Sequence, residues 1–156
     1  MDMLAKAQRI VARHGTNDPE TILRELGVPV VALEMRGLRG IYKVIENIPF
    51  VFIDGRLPER ERQFVAGHEL AHHLFHRGDN RIFLERRTLL KTSRQEAEAN
   101  IFSLCLMAPD PDEVIAEGDD VRAVACRIGV SEGLAALYIE EVQRHRQKKD
   151  RPHVVL

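Results

Sequence analysis

Arg62-Gln63-Phe64-Val65-Ala66-Gly67-His68-Glu69-Leu70-Ala71-His72-His73-Leu74-Phe75-His76 is the stretch on which the reading of this chain turns. Pro58 precedes it as a helix opener, and Glu59 and Glu61 fall where a first helical turn favours negative charge. The pattern therefore predicts a long helix running to His76-Arg77 and ended by Gly78. Within it, His68-Glu69-Leu70-Ala71-His72 sets two imidazoles at i and i+4, about 40° apart on one helical face, where both reach a single ion. Glu69 stands about 100° around the axis from His68, too displaced to share the ion but close enough to hold a water on it. At this composition about 0.03 such matches are expected by chance. His76 continues the series, but one straight helix cannot wrap three imidazoles tetrahedrally around an ion. It reads as a helix-end residue near the negative end of the dipole.

A catalytic zinc takes a third protein ligand and keeps its fourth position for water. The next helix begins at Ser93 and is ended by Pro109, and its first turns are Ser93-Arg94-Gln95-Glu96-Ala97-Glu98-Ala99-Asn100. Glu96 and Asn100 are i and i+4, so a carboxylate ligand and an amide able to orient a ligand imidazole share one face. Glu98 lies about 200° around from Glu96, so only one of the two faces the metal. Ala97, Ile101 and Leu104 mark the Glu96 side as inward and leave Glu98 exposed. Ser93-x-x-Glu96 also fits a capping box; the upstream histidine pair favours the ligand role.

Outward from these helices, Leu4 to His14 has helical spacing and stops at Gly15, and Asp18-Pro19 opens a second short helix with Ile22, Leu23 and Leu26 as its apolar stripe. Val28–Leu33, Ile41–Ile45 and Phe50–Ile53 predict three strands separated by Gly37, Gly40 and Asn47. Residues 79–92 read as an irregular connection carrying Ile82-Phe83-Leu84. Beyond Asp112 two or three helices are expected, broken at Gly129-Val130-Ser131. The expected class is α+β: a three-stranded sheet packed on the H-E-x-x-H helix and on a glutamate-ligand helix, plus C-terminal helices. Residues 1–110 form the expected metal-bearing core. Residues 111–156 form a helical, helix-turn-helix-like unit with a basic tail.

The 156 residues, 44% hydrophobic and 30% charged, suffice for one core without staples, so any metal here is functional, not structural. A formal net charge of −1 argues against nucleic-acid binding by bulk charge. Cys105 and Cys126 read as two buried thiols, since no Cys-x-x-Cys or disulfide framework surrounds them. No basic-then-apolar leader and no membrane-length apolar run are present, so a cytoplasmic protein is expected. The Val124–Leu134 segment raises a rival reading, a non-catalytic zinc-carrying regulator that binds DNA or a repressor partner. However, its second helix starts with Glu132, carries Glu140 and Glu141, and offers no Arg, Asn or Gln in its first two turns to read bases. Direct DNA binding is therefore not expected, and the unit reads as packing.

Taken together, the sequence resembles the ImmA/IrrE metallopeptidases of phages, mobile elements and stress-response loci. The likeness runs through Glu25-Leu26-Gly27-Val28, the Gly40 strand, Arg62 to His76, Glu96-Ala97-Glu98-Ala99-Asn100-Ile101-Phe102, Leu106-Met107-Ala108-Pro109 and Arg127-Ile128-Gly129-Val130-Ser131. The family usually reads Leu-Leu-Met-Pro where this chain has residues 106–109, and has small residues where Ser103 and Leu104 stand. The resemblance implies a gluzincin-like fold, one zinc per chain on His68, His72 and the glutamate four residues before Asn100, and Glu69 as general base. It also implies the substrate, a helix-turn-helix repressor cut to release gene expression. A donor for the oxyanion is expected among Tyr42, His73, His76 and the nearby arginines.

Overall fold

A computed structural model describes residues 1–76, 81–84 and 93–151, with the backbone alone for 81–84. Helix α1 (Met3–His14) starts where the Asp2 carboxylate accepts from the Ala5 N–H at 2.9 Å, and it ends at Gly15 in the left-handed conformation. Helix α2 (Pro19–Glu25) starts on Asp18 in the same way, with Pro19 in its first turn and Ile22 and Leu23 buried.

Four strands follow: β1 (Val30–Leu33), β2 (Leu38–Ile45), β3 (Ile48–Asp54) and β4 (Arg81–Leu84), in sheet order β1-β3-β2-β4. β1 runs parallel to β3, and β2 runs antiparallel to both β3 and β4. The three expected strands are present. The fourth lies in the stretch read as an irregular connection, where residue 82 pairs with Ile41. A three-residue apolar run is too short to show a period of its own, and its pairing with β2 makes it a strand. The remainder of that connection, the helix stop expected at Arg77-Gly78, and residues 152–156 of the tail lie outside the described residues.

β2 and β3 join through Glu46-Asn47, both with positive φ (49° and 65°), the conformation a two-residue hairpin requires. Gly40 does not separate strands as expected; it lies inside β2, with its backbone close against the helix beneath. A Cβ there would stand 2.6 Å from Val65 Cγ1 and 3.1 Å from Glu69 Oε1.

Helix α3 (Glu59–Phe75) lies on the sheet, α4 (Arg94–Met107) packs along α3, and α1 packs against α4. The chain closes with α5 (Pro111–Val114), α6 (Val121–Ile128) and α7 (Glu132–Asp150), the last packed on α6, α4 and α1. Gly129 in the left-handed region and Ser131, which caps Leu134, make the α6–α7 turn at the expected break. One core joins these layers, from Leu4 and Leu23 through Ile53 and Leu70 to Phe102 and Tyr138. Cys105 is buried in it, but Cys126 is exposed, contrary to expectation. α6 turns Val124, Ala125 and Ile128 inward, which leaves position 126 on the opposite face. Among the described residues no helix is long and apolar enough to cross a membrane.

Candidate metal centre

The centre is made where α3 and α4 run antiparallel, and small residues set their separation. At Gly67 a Cβ would meet Ser103 Cβ at 3.1 Å and Ser103 Cα at 3.2 Å, so the two backbones approach as closely as a bare glycine permits. Ser103 Oγ donates to the Phe64 carbonyl at 2.6 Å across the same crossing. Counting back along α4 from this contact, Asn100 falls opposite His68 and Glu96 falls opposite His68 and His72.

His68 Nε2 lies 3.1 Å from Glu96 Oε2, His72 Nε2 lies 3.0 Å from Glu96 Oε1, and the two Nε2 atoms are 3.0 Å apart. Both imidazoles are fully buried and the Glu96 side chain is about one quarter exposed. One donor atom from each of the three lies within 4.8 Å of the others. The carboxylate that meets the histidines is Glu96. Ser93 caps its backbone N–H at 3.2 Å, so the capping half of the Ser93-x-x-Glu96 pattern coexists with a side chain turned to the imidazoles.

The donor set suits a divalent cation. A tetrahedral zinc bonded at about 2.0–2.2 Å holds its ligands roughly 3.3 Å apart, so donors 3.0–3.1 Å apart need to open only slightly. Asn100 Oδ1 lies 2.7 Å from His68 Nδ1; accepting from it, the amide leaves His68 Nε2 as a lone pair facing Glu96. Beside these donors, Glu69 is wholly buried, and neither of its carboxylate oxygens has a hydrogen-bond partner of ordinary geometry among the described residues. Burial, and then the charge on Glu96, push the Glu69 carboxyl well above the usual range; the Tyr42 backbone N–H offsets this only in part. Burial would also raise Glu96, but where protons rather than an ion stand between the imidazoles and the carboxylate, hydrogen bonds and charge from His68 and His72 outweigh it and hold that carboxyl far below its ordinary value. Two carboxylates closed in with two imidazoles make a pocket that a cation compensates.

The tyrosine and histidine oxyanion candidates separate into two groups. Tyr42 and His73 pair with each other, hydroxyl to Nδ1 at 3.0 Å, both largely buried. His76 caps the C-terminus of α3 as a helix-end residue, but its ring does more than face the dipole. Its Nδ1 lies 3.0 Å from His72 Nδ1 and its Nε2 lies 3.2 Å from Glu98 Oε2. Glu98 is correspondingly not the exposed residue expected: its side chain is 17% accessible, pinned between His76 and Arg94. The expectation assumed that α4 has one inner and one outer face, whereas α3 and α1/α7 both pack on it. Sequence reasoning also missed Gly40, Gly67 and Ser103. The available signal was a glycine inside a strongly helical pattern, which marks a close backbone approach.

An H-E-x-x-H helix laid on a mixed sheet, with a carboxylate from the following helix returned to both histidines, defines a small zincin-like α+β fold. The chain belongs to the peptidase M78 family: residues 23–140 match the family model described as the IrrE N-terminal-like domain. It is also similar to "Uncharacterized immunity region protein 2" of Bacillus phage phi105, 31% identical over 107 residues that cover 68% of each chain.

Proposed function

We propose that this chain is a zinc-dependent endopeptidase that cuts a helix-turn-helix transcriptional repressor. His68, His72 and Glu96 hold one zinc per chain, and Glu69 is the general base. The observation that carries the reading is the convergence of two imidazole nitrogens and one carboxylate beside a second carboxylate that is buried and has no hydrogen-bond partner of ordinary geometry among the described residues. The peptidase family match supports the reaction class. The repressor as substrate rests on the family resemblance and on a relative named for a phage immunity region.

When bound, the ion supplies Lewis-acid activation of water and of the scissile carbonyl. Glu69 takes the proton of the attacking water and returns it to the leaving amine, a role suited to a carboxyl whose burial raises its proton affinity. Asn100 orients the His68 ring, and the Tyr42–His73 pair is the oxyanion donor we favour, since both His76 nitrogens are engaged elsewhere. Residues 1–110 carry the chemistry, and α7, from the 111–156 unit, packs against them.

The test is Glu69→Gln, which keeps shape and ligands but removes the base. Metal content by elemental analysis stays at one per chain, and cleavage of a co-encoded helix-turn-helix repressor, mapped by mass spectrometry, falls by about 10²-fold or more. Cleavage that survives this substitution or a chelator refutes the proposal.

A further inference from the structure

Outside the three ligands, a chain of polar groups runs from His72 to the surface: His72 Nδ1 to His76 Nδ1 at 3.0 Å, His76 Nε2 to Glu98 Oε2 at 3.2 Å, and Glu98 Oε1 to Arg94 Nε at 3.0 Å. We infer that His76 and Glu98 form a positioning pair that holds His72 in its metal-binding tautomer and ring orientation. This rests on the metal reading above.

The direction of every bond follows from its outer end. Arg94 only donates, and the Glu98 carboxylate only accepts. Glu98 pairs through Oε1 with the Arg94 guanidinium and turns its other oxygen, Oε2, to His76. The proton between His76 and Glu98 therefore sits on His76 Nε2. In the His76 tautomer that carries its proton on Nε2, Nδ1 is the acceptor, so the bond to His72 is donated by His72 Nδ1–H. His72 Nε2 is left as a lone pair, 3.0 Å from Glu96 Oε1, on the side where the ion binds. The His76 side chain is only 5% exposed, so water does not readily take its place. On the other side Asn100 does for His68 in one step what His76 and Glu98 do for His72 in two. Each imidazole ligand thus has its non-ligating nitrogen engaged from outside, and α4 supplies both anchors.

The experiment measures metal affinity by competition with a chromophoric chelator for zinc. It also records the visible spectrum of the cobalt-substituted protein, for the parent, His76→Ala, His76→Asn, Glu98→Ala and Glu98→Gln. Circular dichroism in chelator confirms the fold of each; the two Glu98 variants sit at the partly exposed end of the chain and keep the test open if His76→Ala fails to fold. Both alanine variants weaken zinc about 10- to 100-fold and alter the cobalt bands. His76→Asn, whose Oδ1 stands where Nδ1 stood, and Glu98→Gln, whose Oε1 still accepts, recover most of the loss, which a purely structural role would not produce. Affinity within twofold of the parent in both alanine variants overturns the inference, as does an equal loss in the alanine and conservative variants. A parent that takes up no ion, or a Glu96→Ala variant that keeps it, overturns the metal reading itself and is distinguishable from either result.

Discussion

Replacing Gly67 by alanine sets two effects of opposite sign against each other inside α3. A helix-interior glycine costs about 1 kcal/mol relative to alanine, so on propensity alone Gly67→Ala stabilises. The new methyl, however, is placed 3.1 Å from Ser103 Cβ and 3.2 Å from its Cα, with Oγ closer still. A flexible tip can move aside; a Cα cannot move without the helix that carries it. Overpacking of this kind costs about 1–3 kcal/mol, and a retreat of α4 also weakens the 2.6 Å bond from Ser103 Oγ to the Phe64 carbonyl, worth about 1 kcal/mol. The clash wins by about 1–3 kcal/mol, which for a chain of this length lowers the thermal midpoint by roughly 2–12 °C. The assay is thermal unfolding in excess chelator, so that lost metal binding does not contribute. Chelator competition is a second readout: if α4 retreats, Glu96 leaves His68 and His72 and zinc affinity falls, and Gly67→Ala/Ser103→Gly, which removes the Oγ and Cβ contacts but keeps Cα, restores part of it. A midpoint for Gly67→Ala equal to or above the parent refutes the account of the α3–α4 crossing.

Two further outcomes are expected. In Gly40→Ala the new methyl meets the stiff Val65 side chain at 2.6 Å and Glu69 Oε1 at 3.1 Å, so cleavage falls by about 10²-fold while elemental analysis still finds one metal per chain; a variant that cleaves normally removes Gly40 from the argument. Asp119 is held below its ordinary value of 3.8 by hydrogen bonds from Arg127 and then from the Ala116 N–H, so its stabilisation is present above the unfolded value and is lost as pH falls through the lower folded one. The stability gap between the parent and Asp119→Asn in urea, with chelator present, is therefore full-sized above about pH 5 and closes in stronger acid; a gap independent of pH contradicts the assignment.

The features legible in the sequence were those whose spacing encodes geometry. His68, His72, Glu96 and Asn100 are set by helical periodicity, and the structure brings all four together. Caps were equally legible, since Asp18 and Ser131 each satisfy a backbone N–H locally. What escaped were the facts that exist only between elements. β4 becomes a strand through its pairing with β2, Gly40 looked like a turn until a helix lay beneath it, and Glu98 looked exposed because the His76 ring that meets it comes from the far end of α3. His76 was recognised as a helix end, but a helix end has no visible partner in a sequence when that partner sits 22 residues on.

The ligand helix also explains why the C-terminal helices bear on the centre without touching it. α4 contributes Glu96, Glu98 and Asn100 from its first two turns, so its placement sets three of the polar groups of the candidate metal centre. Its other end leaves carbonyls that need donors. Three side chains from three places in the chain supply them: Asn17 Nδ2 to Leu106 O at 3.2 Å, Tyr138 Oη to Ala108 O at 2.8 Å, and Gln8 Nε2 to Pro109 O at 3.0 Å. Tyr138 belongs to α7, and α7 is tied to α1 by the Met3 N–H donating to the buried Glu141 carboxylate at 2.7 Å. A helix capped by Ser93 at its ligand end, seated on Gly67 at its middle and pinned by three donors at its far end has little freedom to slide along α3. A slide of one residue would rotate Glu96 by about 100° away from the histidines. The register that makes the centre is therefore held largely by contacts remote from it, several of them made by the first and last helices of the chain.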